Sequence, residues 1–501
     1  MRKQFIRAER SDLQDVEALA FRHLLIRDAA YEAIPKASRA QLHERFADWL
    51  EGELGERIIE QQEIVGFHLE RAHDLLAELG PADVRQEALA GRAGAYLHEA
   101  GRRAFDRGDM PAAVSLLERA GSLMAGDDPV RADVLIDAGL AARDAGWRAR
   151  GTALLEEAVA TAARSGDEVL EARARLIHHE RGARMTDVGW REVGRTLAER
   201  VLEVADPAED DLAIGWAWFV LGSWAWNRCR TTEAEPAWRQ ALEHFRRAGD
   251  GRMVDECLGW YLSVPLLGPM PCDEAIEMVE SFQSQTSGSV SADWDRMGTL
   301  AWLLAYEGDV EQARAIMHEG DRRLRDLGMR ETAAFMTQSI GWIELIAGNF
   351  EEADRRAAEA AAELEEMGSE IGGVLWSIRA RALYELGRYD DAQDAVRKGD
   401  QLFSDLSTSL LQRSTEAMIL AHRGLLPDAE RIARDAVIQM DTSDWPSERG
   451  DMRMALAEIL RLAGKMDESA EMMREAVALY ESKGNALQAG TARTKLAALT
   501  G

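Results

Sequence analysis

A Gly-x-x-x-x-Ala step recurs along this chain roughly every forty residues, and no other feature restricts its fold as strongly. The clearest copy is Gly348–Ala353; others are Gly308–Ala313, Gly387–Ala392, Gly424–Ala429 and, earlier, Gly108–Ala113. Each copy follows an apolar helical stretch and opens an alanine-rich one, so the step reads as the turn of a helical hairpin. Glycines at 308, 348, 387, 424 and 464 are spaced by 40, 39, 37 and 40 residues. The expected fold is all-α, a right-handed superhelical array of helical hairpins, which is an architecture that binds more often than it catalyses.

Composition agrees with such an array. Of 501 residues, 46% are hydrophobic and only 11 are proline, which leaves ample material for a continuous core. Alternating strand patterns are absent, and Ala, Glu, Leu and Arg dominate. The formal charge of −29 argues against nucleic acid as a partner, because phosphate neutralisation needs clustered Lys and Arg. Nearly all basic residues are Arg, a bias expected of a GC-rich, bacterial coding sequence. Cys229, Cys257 and Cys272 are widely spaced, which suits a reducing cytoplasm and offers no metal spacing. The N-terminus lacks the apolar run of a signal peptide. The uncharged runs 212–226 and 257–272 are shorter than the ~20 residues a membrane span requires, and the second is broken by Pro265, Pro269 and Pro271. The reading is therefore cytoplasmic, without a membrane partner.

No catalytic constellation stands out. A Gly-x-x-x-x-Gly-Lys-Ser/Thr phosphate loop is missing, and Gly464-Lys465 is followed by Met466. His178-His179-Glu180 is not a zinc-protease helix motif. His68 and His73 are poorly spaced for one helical face, and no Gly-x-Ser-x-Gly elbow occurs. Neither an enzymatic activity, a cofactor nor a metal is expected.

Three regions are expected: a small module over residues 1–80, an N-terminal part of the array over 85–282, and a C-terminal part over 292–501. The first hairpin pairs Ala93–Arg107 with Met110–Leu123, and its small residues Ala100, Gly101, Ala113 and Ala120 resemble the tetratricopeptide repeat. The second pairs Asp133–Gly146 with Ala149–Arg164, placing Gly139, Gly151 and Ala158 in the same slots. A degenerate copy covers Glu168–Arg181 and Gly189–Ala205, followed by Leu212–Asn227 with Glu233–Ala248. Met253 to Leu266 and Glu274 to Phe282 form the next pair. Ser281 to Ser291, rich in Ser, Gln, Thr and Gly, is either a linker between two sub-arms or a long inter-repeat loop. Beyond it the period of about forty exceeds the usual ~34 of the tetratricopeptide repeat. Asn485 to Leu499 is suited to capping the last apolar face.

The first eighty residues carry a second resemblance. A helix is expected over Ala20–Ile34, stopped by Pro35. Another spans Arg39–Leu54 with Leu42, Phe46, Trp49 and Leu50 on one face. A third, Glu60–Leu79, turns Ile64, Phe67, His68 and Leu75 inward. Phe21-x-His23-x-x-Ile26-Arg27-Asp28-x-Ala30-Tyr31, then Arg39-x-x-Leu42-His43, then Glu63-Ile64-Val65-x-x-His68-x-x-x-Ala72, resembles the junction between ATPase and repeat arm in bacterial STAND-class signalling ATPases. These include adenylate/guanylate cyclase-like proteins and maltose-regulator-like activators. The resemblance covers about residues 20–125 and implies a winged-helix-like module beside a nucleotide domain that this sequence does not contain. It also implies two readings of His23, as a packed residue at a helix start or as a sensor of a partner's nucleotide state. The chain is then either a free-standing adaptor or the regulatory part of an ATP-binding cyclase-like protein or activator.

A binding surface follows from counting back from the turns. Helix A of the Gly348 repeat carries two stripes, Met336, Ile340, Ile343 and Ala347 on one side and Phe335, Gln338, Trp342 and Leu345 on the other. Packing on one side needs only one stripe. Tetratricopeptide arrays use the concave wall of helix A for ligands, and the count places Trp216, Phe219, Trp226, Asn227, Trp302, Tyr306, Phe335, Gln338, Trp342, Arg381 and Tyr384 there. Such a wall suits a protein or peptide segment, or a small inducer. The same rings could instead seal the core of a tightly wound superhelix, since each buries ~150–250 Å² wherever it packs.

Overall fold

The computed structural model describes residues 5–9, 18–182, 189–282, 290–326, 330–368, 372–402 and 405–500. It is an all-α helical-repeat array, and the chain divides into two compact units, 1–182 and 183–501.

The first unit opens with a feature absent from the sequence expectation, a two-stranded antiparallel ribbon. Strand β1 (Ile6–Glu9) pairs with β2 (Ala18–Phe21), with Ile6 opposite Phe21. Ala20 and Phe21, expected in a helix, are therefore in a strand. Helix α1 (Leu24–Glu32) starts only after His23, whose extended backbone (φ −137°, ψ 132°) makes it the cap. Four-residue strands are too short for alternation to show above a helical pattern. Then come α2 (Lys36–Leu54), a 3-10 turn (Gly55–Gln61), α3 (Gln62–Ala77), α4 (Val84–Asp106), α5 (Met110–Ser122), α6 (Pro129–Asp144), α7 (Arg148–Ser165) and α8 (Glu168–Gly182).

Successive helices of this unit pack as antiparallel hairpins whose contact points are glycines. A Cβ on Gly101 of α4 would lie 2.7 Å from Leu117 Cγ of α5, and one on Gly139 of α6 would lie 2.8 Å from Leu155 Cγ of α7. The small residues thus act as sockets for leucines of the next helix, which is the role their spacing predicts. The outer face of α2 and α3 departs from expectation. Ala47, Leu50, Val65, Leu69, Ala72 and Leu75 are buried, but Leu42, Phe46, Trp49, Ile64 and Phe67 are exposed. Leucines, alanines and Val65 fill this inter-helical space, and the rings of Phe46, Trp49 and Phe67, expected on the inner faces, are left outside with Leu42 and Ile64.

The second unit runs α9 (Trp190–Val204), α10 (Asp211–Trp226), α11 (Thr231–Ala248), α12 (Gly251–Tyr261), α13 (Ser263–Leu267), α14 (Cys272–Ser281), α15 (Val290–Glu307), α16 (Val310–Asp326), α17 (Arg330–Ile346), α18 (Phe350–Glu366), α19 (Gly373–Glu385), α20 (Tyr389–Gly399), α21 (Leu406–His422), α22 (Leu426–Met440), α23 (Pro446–Leu462), α24 (Met466–Lys483) and α25 (Ala486–Thr500). Met253–Leu266 is thus split at Leu262 into α12 and α13. Most of the Ser281–Ser291 segment lies outside the described residues. The turn glycines 308, 348, 387, 424 and 464 have φ of 105°, 80°, 74°, 82° and 77°. That left-handed conformation is open to glycine without a Cβ clash, which explains why the step repeats so faithfully. In α18 a stripe is expected of Ala353, Ala357, Ala361, Leu364 and Met367; the first four are buried against α17 and α19, and Met367, just past the helix end, is partly buried.

The ends of this unit meet. The turn 227–232 between α10 and α11 is bonded to chain more than 170 residues later. Leu406 N–H donates to the Asn227 carbonyl at 3.1 Å, and Asp444 N–H donates to the Cys229 carbonyl at 3.0 Å. Asp444 also accepts from the amides of Thr231 (2.9 Å) and Thr232 (2.8 Å) and from both threonine hydroxyls. Those two amides open α11 and have no partner within it. Cys229, inside the turn, holds a φ of 57°, a conformation rare for a residue with a side chain. A second link joins α24 to α13: the fully buried Lys483 Nζ donates to the Pro265 and Met270 carbonyls, each at 2.6 Å. Early and late hairpins of this unit are thus bonded directly to each other.

Candidate functional site

Closure brings together side chains that are remote in sequence. Trp226 at the end of α10 packs on Trp260 of α12 (ring centroids 5.2 Å) and on Trp445, which caps α23 (5.6 Å). Trp302 of α15 stacks on Trp342 of α17 at 6.1 Å and 29°, and meets Tyr306 edge-on at 6.4 Å. Trp226, Trp302, Tyr306 and Trp445 belong to one apolar cluster with Leu262, Leu266, Leu410 and Met452.

The expected wall residues fall into three groups. Trp216 and Phe219 are core: Trp216 sits edge-on to Phe219 (5.9 Å) and Phe245 (6.3 Å), buried between α10 and α11. Their place on the wall is corrected by the packing, since both rings are 2% exposed. Trp226, Asn227, Trp302, Gln338, Trp342 and Arg381 are half-buried and keep an open side. Tyr306 and Tyr384 are buried; the Tyr306 hydroxyl belongs to the polar interior described next, and Tyr384 packs in a separate cluster with Leu383, Met418 and Leu456. The Phe335 side chain lies outside the described residues. Arg381 is held by Glu385 in its own helix, Nε to Oε1 3.1 Å. His23 is exposed at the start of α1, far from the packed position that one reading gave it.

Several of these residues have polar tips buried without a hydrogen-bonding partner: the indole nitrogens of Trp226, Trp302 and Trp445, Asn227 Oδ1 and the Tyr384 hydroxyl, together with Glu448 Oε2. Buried polar groups are almost always paired, and each unpaired one costs about 1–3 kcal/mol. Four of the six are on residues that counting from the turns had selected. Trp445 and Glu448 were missed, and so was the enclosed polar set around them. Pro446-Ser447-Glu448 reads only as a helix start, and nothing in the sequence says that this start faces Tyr306.

The carboxylates of this interior differ in how they are satisfied. Asp451 of α23 accepts from the Tyr480 hydroxyl (2.6 Å) and from Gln488 Nε2 (2.8 Å), and Asp405 caps α21 through the Thr408 amide (2.8 Å) and hydroxyl (3.0 Å). Burial still pushes both above the usual carboxylate range, against the pull of Arg381 on Asp451 and of Arg191 on Asp405. Glu448 has one free oxygen. Burial, reinforced by the neighbouring charge of Asp451, pushes its carboxyl up to about 8. Burial lowers Lys483 to about 8, although Glu448 works in the opposite direction. All three cysteines are buried and free, and burial raises each thiol, that of Cys272 to about 11. That is a setting for packing thiols and not for nucleophiles.

In the first unit, the residues that carry the ATPase-junction resemblance form one chain of contacts. The Tyr31 hydroxyl bonds His43 Nε2 at 2.9 Å, and His43 Nδ1 bonds His68 Nδ1 at 2.7 Å. Burial lowers His68 to about 4, which keeps it neutral beside His43. Phe46 covers His68 (4.6 Å) and adjoins Trp49 (5.6 Å), both within the exposed apolar face.

No protein-family model matches the chain, and no curated protein matches its sequence. Solved structures do. A Rap protein complexed with Competence and Sporulation Factor aligns over 74% of this chain and all of that one, with TM-score 0.50 and 13% identity. The apo form of RapI aligns over 63% and 98% (TM-score 0.32, 13% identity), and the APC/C hetero-tetramer Cut9-Hcn1 over 91% and 89% (TM-score 0.42, 12% identity). At such identity the likeness concerns the fold alone, and the argument rests on the first of them. The fold and the repeat define the class: this is an all-α protein of tetratricopeptide-like helical hairpins. Among the described residues no group of three or more His, Cys, Asp or Glu could hold a metal ion, and no helix is long and apolar enough to cross a membrane.

Proposed function

We propose that the second unit binds an extended segment of a protein or peptide against its inner wall, between the Trp226–Trp445 and Trp302–Trp342 pairs. The observation that supports this most is the set of buried, unpartnered polar tips among aromatic rings. Three indole donors, a phenol hydroxyl and two oxygen acceptors without partners are what a main chain would satisfy, since it offers a carbonyl and an N–H at nearly every residue. The Rap protein that the fold resembles is itself complexed with a factor. A small inducer would use the same donors.

The proposal is checked by Trp302→Ala and Trp342→Ala, assayed by calorimetry against a captured partner or a peptide library. Each should weaken binding at least tenfold, by ~1.5–3 kcal/mol, while helicity is retained. If both variants bind as well as wild type, the wall is not the site.

A second reading is favoured by the first unit. Leu42, Phe46, Trp49, Ile64 and Phe67 expose a contiguous apolar face on α2 and α3, and large exposed patches mark protein contacts. With the resemblance around Tyr31, His43 and His68, this supports residues 1–80 as a winged-helix-like module docking a signalling ATPase, with the array reporting its occupancy to it. Its nucleotide-sensing role would fall to His23. Phe46→Glu with Trp49→Glu should abolish co-elution with such an ATPase without changing ligand binding by the second unit. Unaltered co-elution refutes this docking face.

A further inference from the structure

Resting on the inner-wall reading above, we infer that Glu448 is the specificity-determining residue of that wall, and that the segment bound there presents a cationic side chain, an arginine guanidinium, to its free oxygen.

The case is made by what surrounds each charged group. Glu448 occupies the first turn of α23. One oxygen is turned back to its own backbone amide, and Oε2 is buried with no partner. The groups that face it are Asp451 on the same helix, Asp405 at the start of α21, Tyr306 on α15, the Cys229 thiol in the turn before α11 and Lys483 at the end of α24. Of these, the only cation is Lys483, and its nitrogen is committed to the Pro265 and Met270 carbonyls. Asp451 and Asp405 have their own donors, as described above. Glu448 is thus a charged acceptor with one oxygen that the fold leaves open.

An independent observation points the same way. Trp445, three residues before Glu448, is 3% exposed and has its indole nitrogen unpaired, and the Trp226 ring packed on it carries another unpaired nitrogen. A cluster of acids would not by itself make a site, but here an unmatched carboxylate lies one helical turn from a buried indole whose N–H is unused. A guanidinium is planar, hydrogen-bonds a carboxylate and stacks on indole, so one group answers both features. The unpaired indole N–H groups are then left for carbonyls of the same segment.

Charge also sets a pH dependence. With its carboxyl near 8, Glu448 is mostly protonated at pH 6 to 7, and a guanidinium favours the ionised form. Binding a cation therefore releases a proton. Affinity should rise by up to about tenfold per pH unit between pH 6 and 8, the range in which Glu448 ionises, while Lys483, also near 8, loses its charge only towards the top of that range.

The experiment uses the full chain and a library of acetylated, amidated hexapeptides, with Arg, its neutral isostere citrulline, or Glu scanned through each position. Binding is read by calorimetry and tryptophan fluorescence between pH 6 and 8.5. The expected result is that Arg peptides bind at least about tenfold more tightly than their citrulline counterparts, the size of one charge-assisted hydrogen bond. Glu448→Gln should remove that preference and the pH slope while leaving citrulline-peptide affinity and the melting curve in place. If Arg and citrulline peptides bind alike, or Glu peptides bind best, the role of Glu448 falls while the inner-wall reading stands. If no peptide binds and none alters the fluorescence, both fall together. If Glu448→Gln keeps the arginine preference, another residue makes the contact and the inference is overturned.

Discussion

Gly320→Ala should destabilise the second unit by about 3 kcal/mol, although alanine is the better helix former. A Cβ at this position would lie 1.1 Å from Trp294 Cζ3 and 1.4 Å from Cη2. The indole cannot move aside, because Trp294 is buried in a cluster with Ala301, Met317, Leu324, Met336 and Ile340. Overpacking of this severity costs about 3–4 kcal/mol, against ~1 kcal/mol gained by replacing glycine in a helix interior. Gly490→Ala provides the control: it lies in α25 with open space around it, so the same substitution should stabilise by up to ~1 kcal/mol. Urea midpoints of the two variants measure the contrast. Equal shifts would mean that the Trp294–Gly320 contact does not limit the packing.

Asp444→Ala should cost about 3 kcal/mol and loosen the closure of the same unit. The carboxylate accepts the two amides that open α11, at 2.9 and 2.8 Å, and both threonine hydroxyls. Arg230, in the capping position, offers no side-chain acceptor to them. An acceptor from 213 residues away therefore does the work of an N-cap, and its negative charge also meets the positive end of the helix. Capping substitutions alone cost ~1 kcal/mol, and hydrogen bonds to a charged group raise the total, without full additivity. Amide hydrogen exchange at Thr231 and Thr232 should accelerate markedly, and ligand binding at the inner wall should weaken with it, since Trp445 follows Asp444 directly. Unchanged protection of those amides would show that the clasp contributes nothing to closure. Asp444→Asn, which keeps the acceptor and loses the charge, should fall between wild type and alanine.

Much of the repeat architecture was legible in the sequence because it rests on local rules. A glycine with positive φ after each helix A, followed by alanine in the next helix, is a pattern that needs no knowledge of distant chain. The same holds for the glycine sockets at 101 and 139, whose leucine partners are one helix away. The β1–β2 ribbon was not legible, since strands of four residues give too little alternation. Nor was the outer face of α2 and α3, where periodicity identifies an apolar stripe but not whether a partner covers it.

The inner wall shows the same limit. Counting from the turns selected Trp226, Asn227, Trp302 and Tyr384, and it also selected Trp216 and Phe219, which are core. Helix A positions alternate in what they face only once the winding of the superhelix is known, and the ring of a tryptophan reaches across that boundary. Trp445, Glu448 and Asp444 could not be found by counting at all. The sequence determined the hairpin, its period and the composition of each helix face, because these follow from backbone conformation and side-chain size within about forty residues. Only the tertiary structure decided that the second unit closes on itself, because closure depends on contacts such as Asp444 with Thr231 and Lys483 with Pro265, between segments more than 200 residues apart. That closure buries one Glu448 oxygen without a partner.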